Sequence, residues 1–278
     1  MCAKLIFALM RWWFRADRLR LLAVHAVDEL DTKARAQLGP RLYEIFCASY
    51  GALSSEVVLD EIVFKPGGYL AVWVDASGER VGFASAKVDQ VELDGRPHAV
   101  LRVGSYFVPG HRGGTAARAF ALLVVLFYRF THPFARVFAG IETLNPVSYR
   151  LTVDMFALAF PHRELTAPGS MVDLAQALAG ARGLNCAPDR PFVVYYRDPA
   201  VHERSLRSSR IMEDLDAAYY LTVNPHYRAG HILLVIVPFT FSNIIASTNP
   251  PMKRALRWLT GRRVQPPLLQ QHGESTCH

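Results

Sequence analysis

Apolar positions along this chain recur at two different spacings, and the alternation between them predicts its elements. Over residues 41–50 (RLYEIFCASY), Leu42, Ile45 and Phe46 fall on one stripe with Tyr50 a turn beyond, which predicts a helix. Lys65-Pro66-Gly67-Gly68 is turn chemistry, and the segments Tyr69 to Asp75 and Val81 to Val91, joined at Ser77-Gly78, predict a hairpin. Another turn at Asp94-Gly95-Arg96-Pro97 leads to a third strand, Ala99 to Val108, completing an antiparallel meander.

The pattern then changes. Residues 109–115 (PGHRGGT) form a glycine-rich loop, Ala116 to Phe130 is a helix apolar nearly all round, and Arg136 to Glu142 is a strand, so the segment predicts a crossover. Asn145-Pro146 opens a helix through about Phe156, with Asn145 able to cap it and Pro146 suited to the first turn. A helix near Met171 to Ala181 and a strand at Phe192 to Arg197 follow. The most apolar run, Ile232 to Ala246, is too short for a bilayer crossing and holds Pro238 in its middle, which predicts a buried strand or core helix, with a re-entrant or monotopic segment as the alternative. The fold class is α+β, a mixed and mostly antiparallel sheet flanked by helices.

Composition adds limits. At 278 residues and 51% hydrophobic, the chain buries a full core without staples, and a mainly disordered chain is excluded. Cys2, Cys47, Cys186 and Cys277 lie far apart with no C-x-x-C pair, so we expect no disulfide framework, no metal site and a reducing compartment. The short apolar start is followed by arginines rather than a cleavage site, so we expect no export.

The net charge of +7 is concentrated at the ends: residues 1–20 carry five basic side chains and one acid, and residues 251–265 carry five and none. The remainder is slightly acidic, which argues against nucleic acid as a partner. On a helix, Lys4, Arg11, Arg15 and Arg18 share one face and Leu5, Leu9, Trp12, Ala16 and Leu19 another, the pattern of an interfacial helix on anionic lipid as well as of a helix packed on its own domain. Met252 to Arg263 repeats it on a smaller scale. We expect a cytoplasmic protein, peripheral at the inner face of a membrane.

A glycine loop between a strand and a helix points backbone N–H groups at one spot, backed by the helix dipole, and that spot favours an anion. Gly113 and Gly114 allow close approach, Ala116 keeps the first turn slim, and Arg112 or His111 adds charge at the rim. A dinucleotide fingerprint fits worse, because G-x-G-x-x-G is missing and a meander precedes the loop.

The ordered set of meander, VPGHRGGTAARAFALL (Val108 to Leu123), crossover strand and IETLNPVSYRL (Ile141 to Leu151) resembles the GNAT superfamily of acyl-CoA N-acyltransferases. His111, Arg112, Gly113, Gly114, Thr115 and Ala116 align with that family's pyrophosphate loop, with His in place of Gln or Arg, and Asn145 aligns with the Asn that often begins the helix after the fifth strand. The resemblance covers residues 41–200. It implies a pantetheine arm lying in a split between the fourth and fifth strands, with backbone of Tyr106, Phe107 and Val108 presented to it.

It also implies direct attack of an amine on a thioester, for which proximity, loss of the ammonium proton and stabilisation of the oxyanion supply the rate. Glu142, ending the crossover strand, is the preferred base, with His98 and His162 as weaker candidates. The family's acid, a Tyr seven residues after the Asn, is here Thr152, so Tyr149, one turn earlier, is the substitute candidate.

The expected organisation is a basic amphipathic helical segment (1–40), an acyltransferase domain (41–200), an apolar and basic extension (201–265) and a flexible tail (266–278). The expected activity is N-acyl transfer from acetyl-CoA, or from a longer acyl-CoA or acyl carrier protein thioester, to a small amine or amino acid, as in long-chain N-acyl amino acid synthases. The alternative is a non-catalytic binding module of the same fold on a membrane surface.

Overall fold

The computed structural model describes residues 19–50, 54–111, 115–187, 189–195 and 214–261, together with residues 4 and 8. Among the described residues, eight strands form one sheet in the order β1-β2-β3-β4-β5-β8-β7-β6: β1 (Arg20–Ala26), β2 (Tyr69–Val74), β3 (Arg80–Leu93), β4 (Arg96–Phe107), β5 (Arg136–Thr143), β6 (Asn185–Ala187), β7 (Arg190–Tyr195) and β8 (His231–Pro238). Every neighbouring pair is antiparallel except β4 and β5. The helices of eight residues or more among the described residues are α1 (Thr32–Tyr50), α2 (Thr115–Thr131), α3 (Pro146–Met155), α4 (Gly169–Ala181), α5 (Leu215–Val223), α6 (Phe241–Thr248) and α7 (Pro250–Gly261). This is the mixed, mostly antiparallel α+β sheet that the periodicity predicts.

On one face, α1 packs Leu42, Ile45 and Phe46 against Leu70, Val72 and Phe83. On the other, Phe120 of α2 meets Trp73 edge to face, and Phe107 lies on the same indole. Each such fully buried aromatic contributes roughly 1.5–3 kcal/mol through apolar burial alone. Phe107 also fills the space above Gly82, where a Cβ would sit 2.0 Å from the ring.

Two expectations about organisation are corrected. Residues 20–26 form an edge strand rather than part of a helical segment, because half-buried Leu21 and Val24 pack on the sheet. The apolar run is both a strand and a helix: β8 ends at Pro238, and Thr240 caps α6 by accepting from the Asn243 N–H. Since β8 pairs with both β5 and β7, the region after residue 200 supplies a central strand and is no appendage. The helix expected at 41–50 begins at Thr32, and residues 1–3, 5–7, 9–18 and 262–278, on which most of the expected basic helix and the tail fall, lie outside the described residues.

Candidate functional site

The parallel strands β4 and β5 pair over four positions only, from His98 opposite Arg136 to Leu101 opposite Ala139. Beyond that rung they diverge, while β4 stays in register with β3 and β5 with β8. The opening is a cavity of about 790 Å³, within the range of small-ligand sites. Arg102 to Tyr106 line one side and Gly140 to Glu142 the other. Successive strand residues point to opposite faces, so lining by consecutive residues of both strands makes the opening reach both faces of the sheet. Residues Ser54 to Lys65, Ser148 of α3 and Arg182 at the end of α4 complete its walls.

The β4 backbone beside this opening lacks a strand partner. The Val108 N–H donates to the Val81 carbonyl, and alternation along the regular β3–β4 register turns the even-numbered residues of β4 toward β3. The odd-numbered Val103 and Ser105 therefore present their N–H and C=O groups to the split, and Phe107 its N–H. This corrects the expectation for Tyr106 and Val108, whose backbone is turned to β3. The Phe107 carbonyl accepts from the Ser49 hydroxyl at 2.6 Å. Tyr106 enters the site by its ring, which stacks on Phe83 and folds back over Gly104, where a Cβ would lie 2.3 Å from the phenol oxygen.

Past the end of β4, Val108 to His111 form a turn closed by the His111 N–H on the Val108 carbonyl. Pro109 pre-sets its first corner and Gly110, at φ +94°, takes the left-handed second corner that favours glycine. The His111 Nδ1 is buried without a hydrogen-bond partner among the described residues. Thr115 opens α2, where Ala116 and Ala117 are buried against the sheet. Arg112, Gly113 and Gly114 lie outside the described residues, as does the side chain of Thr115.

A charged group surrounds the fork. Lys87 of β3 stands opposite Arg102 of β4, and both pair with Asp89, the lysine at 3.7 Å. Burial lifts the Asp89 carboxyl above its ordinary value, against the pull of Lys87 and Arg182. Glu142 forms an ion pair with Arg182. Sequence reasoning singled out Glu142 alone of these five; the others come from distant positions and carry no spacing signal.

Asn145 caps α3 by accepting from the Ser148 N–H at 2.9 Å, and the Ser148 hydroxyl accepts from the Asn145 N–H. Tyr149 is in the core. It is fully buried, its hydroxyl donates to the Pro161 carbonyl at 3.1 Å, and burial drives its pKa far upward. It packs on Tyr219 and Tyr220 and does not line the cavity, so the structure corrects its assignment as proton donor. Thr152 is buried too, its hydroxyl donating to the Ser148 carbonyl. His98 is buried beside Phe138, and His162 accepts the Glu164 N–H on Nδ1. No group of residues suited to a metal ion occurs among the described residues.

These features define an open α+β sheet parted at its centre by a ligand-sized cavity. No family model matches the chain, and no curated protein matches it. Among solved structures it is similar to a conserved protein of unknown function from Enterococcus faecalis V583, 10% identical over 50% of this chain and 33% of that one, with a TM-score of 0.33. It is also similar to Arabidopsis thaliana NAA60 in complex with a bisubstrate analogue, 18% identical over 48% of this chain and 83% of that one, TM-score 0.32. A GCN5-related N-acetyltransferase from Kribbella flavida is 14% identical over 80% of this chain and 98% of that one, TM-score 0.32.

Proposed function

We propose that this protein is an N-acyltransferase of the GNAT type, moving an acyl group from a coenzyme A thioester to an amine. The observation that carries this is the split between β4 and β5, where the Val103 and Ser105 backbone faces the opening in place of a strand, with a turn after β4 ahead of the N-terminus of α2. An extended amide-bearing arm adds to such an edge as a strand would, and a diphosphate suits the amides of the loop and helix start. Val103, Ser105 and Phe107 hold the arm, and residues His111 to Ala116 hold the diphosphate. The orphaned His111 nitrogen supports a polar ligand there.

The amine attacks the thioester carbonyl carbon, the tetrahedral oxyanion collapses, and the thiolate leaves with a proton. Glu142 takes the ammonium proton, directly or through one water, with Arg182 fixing its carboxylate. Tyr149 is replaced as proton donor by solvent within the open cavity. Four cations and two carboxylates line this cavity, with Asp89 behind Arg102. That balance supports an acceptor carrying a carboxylate of its own, such as an amino acid. The apolar wall of Phe46, Val57, Ile62 and Val63 supports acyl groups longer than acetyl, carried by coenzyme A or acyl carrier protein. The proposal includes peripheral attachment at the inner face of a membrane, supported by the cationic chain ends; no helix among the described residues is long and apolar enough to cross a bilayer.

The test is calorimetry with coenzyme A and acetyl-CoA, followed by thiol release with a panel of amines and amino acids. We expect saturable donor binding, abolished in Gly114→Glu with the fold intact, and turnover with amino acids. Undiminished donor affinity in that variant contradicts the assigned diphosphate site. Donor binding without turnover on any acceptor favours the non-catalytic module.

A further inference from the structure

Helix α7 is amphipathic in sequence but packs with its polarity reversed. Two of its three cations point inward: Lys253 donates to the Val153 and Asp154 carbonyls, and Arg257 donates to those of Ala157 at 2.9 Å, Val153 at 2.8 Å and Phe156 at 3.2 Å, while Arg254 is exposed. These carbonyls belong to the last turn of α3 and the residues just after it, where a helix leaves its acceptors unpaired and its dipole favours positive charge. Anchoring that end fixes which side of α7 meets the protein. Met252, Trp258 and Leu259 consequently stand outward, 45%, 54% and 57% exposed.

The exposed apolar surface continues on the neighbouring elements. Phe241 and Ile245 of α6, which packs against α7, are 66% and 52% exposed. Arg129 of α2 lies over the Phe241 ring, and beyond it Phe130 and Phe134 stand almost wholly in solvent. Most of the exposed large apolar side chains among the described residues thus gather on α6, α7 and the end of α2. Helices α2, α6 and α7 together carry cations and no acid of their own, while Asp154, Asp216 and Glu164 lie near the inward Lys253 and Arg257. No Asp or Glu occurs from Ala217 through Gly273 or from Gly95 through Ile141, whereas Arg129, Lys253, Arg254, Arg257, Arg262 and Arg263 do.

We propose that this surface docks on an anionic lipid bilayer, with Trp258, Leu259, Met252 and Phe241 entering the interface and arginines at headgroup depth. Exposed aromatic and aliphatic side chains on helices that together carry cations and no carboxylate match the chemistry of such an interface, where insertion and electrostatic attraction add. A protein partner would have to offer an acidic apolar groove; a bilayer offers both properties over any area. This deepens the peripheral part of the functional proposal and does not depend on acyl transfer.

The test is co-sedimentation of the full chain with vesicles of phosphatidylcholine alone and of equal parts phosphatidylcholine and phosphatidylserine. The wild type should pellet with the anionic vesicles and not with the neutral ones. The variant Trp258→Glu/Leu259→Glu should lose affinity by about tenfold or more, since two inserting side chains are removed. Phe134→Glu should weaken binding as well, and Leu22→Glu on the far edge strand should bind as wild type does. Unchanged thermal melting shows the variants folded, and coenzyme A affinity reports the proposed donor site separately. Failure of the wild type to bind anionic vesicles, equal binding to neutral ones, or full binding by Trp258→Glu/Leu259→Glu overturns the proposal. So does a dimer in sizing chromatography that this variant abolishes without any vesicle binding, which would assign the surface to a second copy.

Discussion

Leu101 of β4 and Ala139 of β5 form the last paired rung of the parallel ladder, and the cavity begins one residue later on each strand. The fork is held at this point by the residue that follows Ala139. A Cβ on Gly140 would lie 2.6 Å from Cδ2 of Leu178 and 3.2 Å from Cγ1 of Val100, both fully buried. Gly140→Val should therefore overpack the floor of the cavity and destabilise the fold by about 1–3 kcal/mol. Urea denaturation checks this, and an unchanged midpoint contradicts it.

Glu142→Gln keeps the shape of the side chain and removes its basicity. With Glu142 as the base, kcat should fall by roughly 10²-fold or more while donor affinity is kept. Steady-state kinetics with calorimetry separates the two; an unaltered kcat removes Glu142 from the proton path.

Tyr149→Phe distinguishes a buried structural phenol from an acid. The variant leaves the Pro161 carbonyl without its donor, which should lower stability by about 1–3 kcal/mol. Turnover of the folded variant should stay within about threefold of wild type, since the ring is buried in the core and does not line the cavity. A collapse of kcat with stability retained restores Tyr149 as proton donor.

His162 predicts a pH dependence. Burial first, then the nearby Arg257, Arg163 and Lys253, lowers its pKa to about 3. Below about pH 6.5 the unfolded chain takes up a proton that the folded chain refuses until about pH 3, so the neutral ring's stability is fully present above that window and declines as pH falls through it. The slope reaches at most ~1.4 kcal/mol per pH unit. His162→Asn, which keeps an acceptor for the Glu164 N–H, should flatten the slope in denaturation from pH 6.5 to 4; an unaltered slope assigns it to other groups.

Periodicity made the meander, α2, β5 and the Asn145 cap legible, because each depends on neighbours close in sequence. Register was not legible: whether Tyr106 or Ser105 turns its backbone to the split depends on how β3 pairs with β4. Nor was the place of β8 between β5 and β7, since a strand's partners are set by the whole sheet. In α7 the pattern gave two faces, but only the carbonyls at the end of α3 decide that the cationic one turns inward. The charges at the fork are joined across β3, β4, β5 and α4, and no local motif connects them.

The central claim is that a thioester donor adds to the open edge of β4. Amide hydrogen exchange, resolved by residue, with and without coenzyme A tests it most directly. Protection should rise at Val103, Ser105 and Phe107, whose N–H groups face the split, with little change at Gly104 and Tyr106, whose N–H groups face β3. Saturating coenzyme A that leaves those three amides exchanging as before contradicts the account.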